Sequence, residues 1–183
     1  MPLAIYLLWL PHMLPPRKWM QVYMLGLTAL VIYIKPLAFT DALCGLGIGI
    51  SVGLLYLPLS FRIVNFGLKV ETDPPEPNWR TIPAIRWEQL TLRIAYVSAI
   101  VFCEEVLWRW ALLGLSPLFW VLGGILFVVI HFLHEDTIVL VNLIEMSLFT
   151  IITMMTFAYT NNIWLCMGFH FARNFTLSLL RHG

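Results

Sequence analysis

The residues able to do chemistry begin at Cys103-Glu104-Glu105-Val106-Leu107-Trp108-Arg109, where two adjacent carboxylates and an arginine interrupt an apolar run from about Leu90 to Leu115. The run is long enough to cross a bilayer, and an ionisable group inside one costs several kcal/mol unless it is paired or used. On a helix Glu105 and Arg109 stand four residues apart on one face and can pair. Glu104 is turned by roughly 100° from Glu105 and is left free for acid–base work.

Two later apolar runs carry the other polar groups. Phe127 and His131 are four apart, as are His170 and Asn174, so each pair shares a helix face. Antiparallel helices can aim Glu104, His131, His170 and Asn174 at one point. Hydrolysis of a peptide bond needs a base that activates water, a proton carrier, and donors for the tetrahedral oxyanion. Glu104 with His131 suits the first two tasks, and His170 with Asn174 suits the third. Each also has a plainer reading: a lone intramembrane histidine or asparagine can be a hydrogen bond between helices. Glu105 and Arg109 read as a structural pair, with Phe127 as support for His131. Glu145 stands in mid-span, able to pair with Arg173 or to face a water-filled cavity. His134, Glu135 and Asp136 fall at a turn and read as interfacial. Glu104, His131 and His170 could instead form a two-histidine, one-carboxylate site for Zn2+. That reading ranks second, because Asn174 is a poor zinc ligand and no His-Glu-x-x-His helix is present. No cofactor is otherwise called for.

The elements that must position these groups follow from composition. Of 183 residues 60% are hydrophobic and 11% charged, and mean hydropathy is +0.84, far from the soluble average of about a quarter charged. The chain reads as an all-α, polytopic transmembrane bundle of about six spans. A net charge of +1 leaves no footprint for nucleic acid. The partners expected are the lipid bilayer and a peptide or protein substrate with a membrane-associated segment. The three cysteines, Cys44, Cys103 and Cys166, have no metal-ligand spacing and read as small buried hydrophobes.

Leu3 to Leu14 is apolar but broken by Pro11 and too short to span, so a short interfacial or re-entrant helix is expected there. Spans follow at about 19–34, 37–59, 89–115, 117–133, 138–159 and 163–180. Glycines 45, 47, 49 and 53 of the second span suit close helix packing. The single transmembrane domain, 1–183, divides into N-terminal spans (1–60), a polar cytoplasmic loop (61–88) holding Asp73-Pro74-Pro75-Glu76-Pro77, and a catalytic four-helix core (89–183). Trp87, Tyr159 and Trp164 near span ends read as anchors at the membrane interface. Arg17, Lys18, Arg62, Lys69, Arg80, Arg86 and Arg181 fall on one side against Lys35 on the other, which places both termini in the cytoplasm. A prokaryotic inner membrane is the expected location.

Glu104-Glu105-x-x-x-Arg109, Phe127-x-x-x-His131 and His170-x-x-x-Asn174, in order on three spans, resemble the CAAX protease and bacteriocin-processing family of intramembrane proteases, called CPBP or Abi. The resemblance covers about residues 90 to 180. It implies a glutamate-dependent protease in which Glu104 activates water beside His131 while His170 and Asn174 bind the oxyanion. Members have also been described as metalloproteases, so the metal question stays open. Processing of CAAX-like, bacteriocin-related or C-terminal sorting-signal substrates is equally compatible. Against an enzyme stand two other classes: a proton-coupled carrier using the same ionisable groups, and a non-enzymatic immunity scaffold. A histidine-box oxygenase would need more ligands than five histidines supply.

Overall fold

A computed structural model of the chain describes residues 17–71, 87–112, 117–132 and 140–180. Six helices form within them: α1 (Arg17–Ile34), α2 (Ala42–Glu71), α3 (Trp87–Glu105), α4 (Pro117–Phe132), α5 (Leu140–Thr160) and α6 (Ile163–Leu180). No strand occurs among the described residues. A π-helical turn, Val106–Trp110, continues α3 without a break and closes on an Ala111 N–H to Val106 carbonyl bond of 2.8 Å.

The polarity of the bundle is that of a membrane protein. Large apolar side chains such as Leu43, Leu55, Leu118, Ile125, Ile151 and Met155 face outward. Ser60, Glu105, Arg109, Glu145, Thr153, His170 and Arg173 are buried. In a soluble domain water would stabilise the reverse arrangement; in lipid, polar groups are driven to find partners inside. Ala42–Ser60 and Leu140–Thr160 are long and apolar enough to cross a bilayer, and Gln21–Ile34 and Leu118–Phe132 are shorter apolar helices.

The closest helix pair is α2 with α6. Gly45, Gly49 and Gly53 recur every four residues along one face of α2 and meet α6, whose Gly168 lies against Leu46 and Gly49. A methyl group on Gly49 would run into the Leu165 carbonyl oxygen, so only hydrogen fits between the two backbones there. Gly47 lies on the opposite side with nothing near it, so the packing role expected of it falls to the other three. At one end of the bundle α1 is clasped to the π turn: the Trp110 indole donates to the Lys35 carbonyl at 2.9 Å, and the Lys35 ammonium donates back to the Trp110 carbonyl at 3.3 Å. Trp120 at the start of α4 donates to the Leu112 carbonyl at 3.0 Å and stacks on Phe157 of α5.

Several expectations need correction. The second helix starts at Ala42, after a non-helical link containing Pro36, and it does not stop at residue 60. Its helical backbone continues to Glu71, into the segment expected to be loop; hydrogen bonding within the helix satisfies that backbone whatever its side-chain polarity. Trp87 and Tyr159 are exposed, as interface anchors should be, whereas Trp164 is buried and its indole donates to the Ala38 carbonyl at 2.7 Å. Cys103 and Cys166 are buried but Cys44 is exposed. The N-terminal apolar segment, the proline-rich run and the His134 turn lie outside the described residues.

Candidate active site

Glu104 and Glu105 sit at the junction of α3 with the π turn, one residue apart and differently surrounded. Glu105 is 0% exposed, and its Oε1 accepts from Arg109 Nη1 at 2.6 Å and from His170 Nδ1 at 2.7 Å. The pairing with Arg109 is the one its spacing suggested. The histidine is an addition from another helix. Arg109 also donates to the Thr153 hydroxyl of α5 at 2.5 Å and stands over the Phe127 ring, 5.3 Å from its centre.

Glu104 faces the other way and is 17% exposed. Its Oε1 is 4.0 Å from His131 Nε2 and its Oε2 is 3.4 Å from His170 Nε2. That Oε2 is buried yet makes no hydrogen bond among the described residues. His131, 27% exposed, is more open than Glu104, and His170, at 1%, is sealed.

Two anchors define the tautomers. His131 Nδ1 lies 2.7 Å from the Phe127 carbonyl, an obligate acceptor, and so carries a proton there. His170 Nδ1 carries a proton toward Glu105 for the same reason. Each ring then has its other nitrogen, Nε2, on the side of Glu104. His170 Nε2 accepts from the Asn174 amide nitrogen at 2.9 Å. Phe127 supports both histidines, with ring centres 4.5 Å from His131 and 6.2 Å from His170.

Beside this lies a second buried network. Glu145 is paired through both carboxylate oxygens with Arg173, its Oε1 taking Arg173 Nε at 2.9 Å. The same Oε1 accepts from Ser60 at 2.7 Å and from Tyr56 at 3.3 Å, both on α2. Arg173 Nη1 reaches the Asn174 side-chain oxygen at 2.9 Å. All four sequence-derived residues, Glu104, His131, His170 and Asn174, thus come together with Glu105, Arg109 and Phe127 behind them.

Sequence reasoning missed Thr153, Phe149, Tyr56 and Ser60. Phe149 packs against His170 with ring centres 4.8 Å apart. Nothing in their types marks them, because threonine, serine, tyrosine and phenylalanine are ordinary in apolar helices. Arg173 did carry a signal, as a second intramembrane cation within a turn of His170. Among the described residues an apolar groove of about 950 Å³ runs between α4 and α5, lined by residues such as Val121, Gly124, Val128, Thr150 and Met154, with none of the polar site residues in its walls.

The bundle thus gathers Glu104, Glu105, His131, His170 and the Asn174 amide inside an apolar outer shell. Residues 86–176 match the family model of Rce1-like, type II CAAX prenyl endopeptidases. The chain belongs to this family of intramembrane peptide hydrolases, and the matched half carries Glu104, His131, His170 and Asn174. The carrier and scaffold readings give way to an enzyme. No curated protein and no solved structure matches the chain.

Proposed function

We propose that the chain is an intramembrane endopeptidase of about six spans that cleaves a peptide bond in a membrane-associated segment, with Glu104 as the base. The observation that carries this is the Glu104 carboxylate, which lies between His131 and His170 with a buried Oε2 that makes no hydrogen bond, whereas Glu105 is engaged through Oε1 by both Arg109 and His170. A water hydrogen-bonded there loses its proton to Glu104 as its oxygen attacks the scissile carbonyl carbon. The proton then passes through His131 to the leaving nitrogen as the carbon–nitrogen bond breaks. Asn174 has a second amide N–H to offer the oxyanion. His170 serves the oxyanion site by holding that amide, its Nε2 accepting the first Asn174 N–H at 2.9 Å.

Glu104→Gln keeps the side-chain shape and removes the base, so cleavage should fall by roughly 10²-fold or more while the protein purifies as before. The check is a comparison of membrane-protein termini from cells with matched levels of wild type and variant. Termini that depend on wild type identify the substrate; equal sets of termini from both overturn the reading. Prenylated CAAX-type peptides are the first substrates to test, on the strength of the family's name. Bacteriocin-related and sorting-signal peptides come next. The charge distribution supports cytoplasmic placement of both termini, in what we infer to be a prokaryotic inner membrane.

One observation favours a second reading. Both histidines have Nδ1 anchored on an oxygen acceptor and Nε2 turned toward Glu104, the outer hydrogen bonding that metal-ligating histidines use. Here Glu104, His131 and His170 would hold Zn2+, which would polarise the water. Asn174 counts against it, since its amide N–H occupies the His170 lone pair that a metal needs. Metal analysis of the purified protein and cleavage in the presence of a chelator separate the two.

A further inference from the structure

We propose that Arg173, held by Glu145, is a positioning residue that fixes the orientation of the Asn174 amide and, through it, the proton on His170; this rests on the protease reading of His170 and Asn174 above.

The two ends of an asparagine amide have nearly the same shape, so only its partners decide which end points where. Arg173 has donors and no acceptor, and its Nη1 lies 2.9 Å from Asn174 Oδ1. Glu105 on the far side of His170 has acceptors only, which places the ring proton on Nδ1 and leaves Nε2 to receive the amide N–H. Reversing the amide would set its NH2 against the guanidinium and its oxygen against the Nε2 lone pair, two repulsive contacts in a buried site. The chain of donors therefore has one direction: Arg173 to Asn174, Asn174 to His170, His170 to Glu105.

Arg173 cannot easily turn away. Its Nε and Nη2 are engaged by Glu145, leaving Nη1 for Asn174, and its guanidinium lies over the Phe149 ring, 4.7 Å from the centre. Glu145 is in turn seated by Ser60 and Tyr56. An ion pair serving only the bundle's stability would not require the third arm of the fork on the amide. Ser60 and Tyr56 lie outside residues 86–176, so α2 completes a seat that the matched segment does not contain.

The test uses the full chain in lipid nanodiscs with 15N-labelled histidine, the His170 signals being assigned by their loss in His170→Gln. The double variant Arg173→Met with Glu145→Gln removes both charges together and leaves a neutral side chain for Ser60 and Tyr56. Its Asn174 amide is free to turn. The expected result is that the His170 nitrogen signals move from the Nδ1–H form toward mixed tautomers or imidazolium. With a quenched prenylated CAAX peptide as probe, kcat should fall roughly tenfold or more with KM within about twofold. If the double variant does not fold, Arg173→Lys keeps a charge against Glu145 but has no second arm for the amide, and the same nitrogen shift is expected. Unchanged His170 signals in a folded variant overturn the positioning role. Failure of the wild type to cleave the probe, with the nitrogen shift present, counts instead against that substrate and leaves the positioning role standing.

Discussion

Glu104 and Glu105 are neighbours in the chain with opposite surroundings, and substitutions at the two should fail in opposite ways. Glu105 balances Arg109 and holds His170 through one oxygen, fully buried. Removing one partner of such a pair leaves an uncompensated charge and costs about 3–5 kcal/mol. Glu105→Gln and Arg109→Met should therefore lower thermal stability in detergent sharply and lose activity as a consequence. Glu104→Gln should lose activity at nearly native stability. Equal melting behaviour of Glu104→Gln and Glu105→Gln would remove the distinction. Thr153 is a gentler probe. Thr153→Val keeps the shape, takes one acceptor from Arg109, and should cost about 1–2 kcal/mol.

At the level of elements, two features place these residues. The π turn at Val106–Trp110 carries an extra residue per turn, which re-aims Arg109 while Glu105 stays in the regular helix behind it. The glycine face of α2 lets α6 come close, and Ser60 and Tyr56 of the same α2 reach Glu145 of α5, the partner of Arg173 on α6. Gly49→Ala places a methyl group against the Leu165 carbonyl and should cost about 1–3 kcal/mol by forcing the helices apart. Because α6 carries His170 and Asn174, activity should fall with it. Gly47→Ala meets open space and should be neutral or stabilising by up to about 1 kcal/mol through helix propensity. Thermal unfolding of the two variants in one detergent checks both; equal effects would mean that the glycine face does not set the helix spacing.

For the whole molecule, the clasp of Lys35 on Trp110 and the Trp164 bond to Ala38 mark one end of the bundle, and the Arg93 bond to the Ser178 carbonyl marks the other. The positive-inside expectation from the sequence assigns the second end to the cytoplasm. Asp41 and Glu88 are exposed and lie near opposite ends. In intact cells a membrane-impermeant maleimide should label Asp41→Cys above the background of the native protein, whereas Glu88→Cys should react only after permeabilisation. The reverse pattern would invert the topology.

How much of this was legible in the sequence follows from the range of the interactions involved. Composition and hydropathy determined a helical membrane bundle, because lipid admits only backbone that satisfies itself. Spacing along one helix determined the Glu105–Arg109 pair, the shared face of Phe127 and His131, and that of His170 and Asn174, because the helix repeat is a local constraint. The segment from 61 to 71 was misread as loop, since its polar side chains hide a backbone that continues the helix. The remaining features needed the tertiary structure. That Glu105 takes His170, that Glu145 takes Arg173 with Tyr56 and Ser60, and that Arg173 reaches Asn174 all depend on the rotation and spacing of helices distant in sequence. A glycine stripe and a π turn set those rotations. No local pattern shows which face meets which, because that choice is made by packing across the bundle.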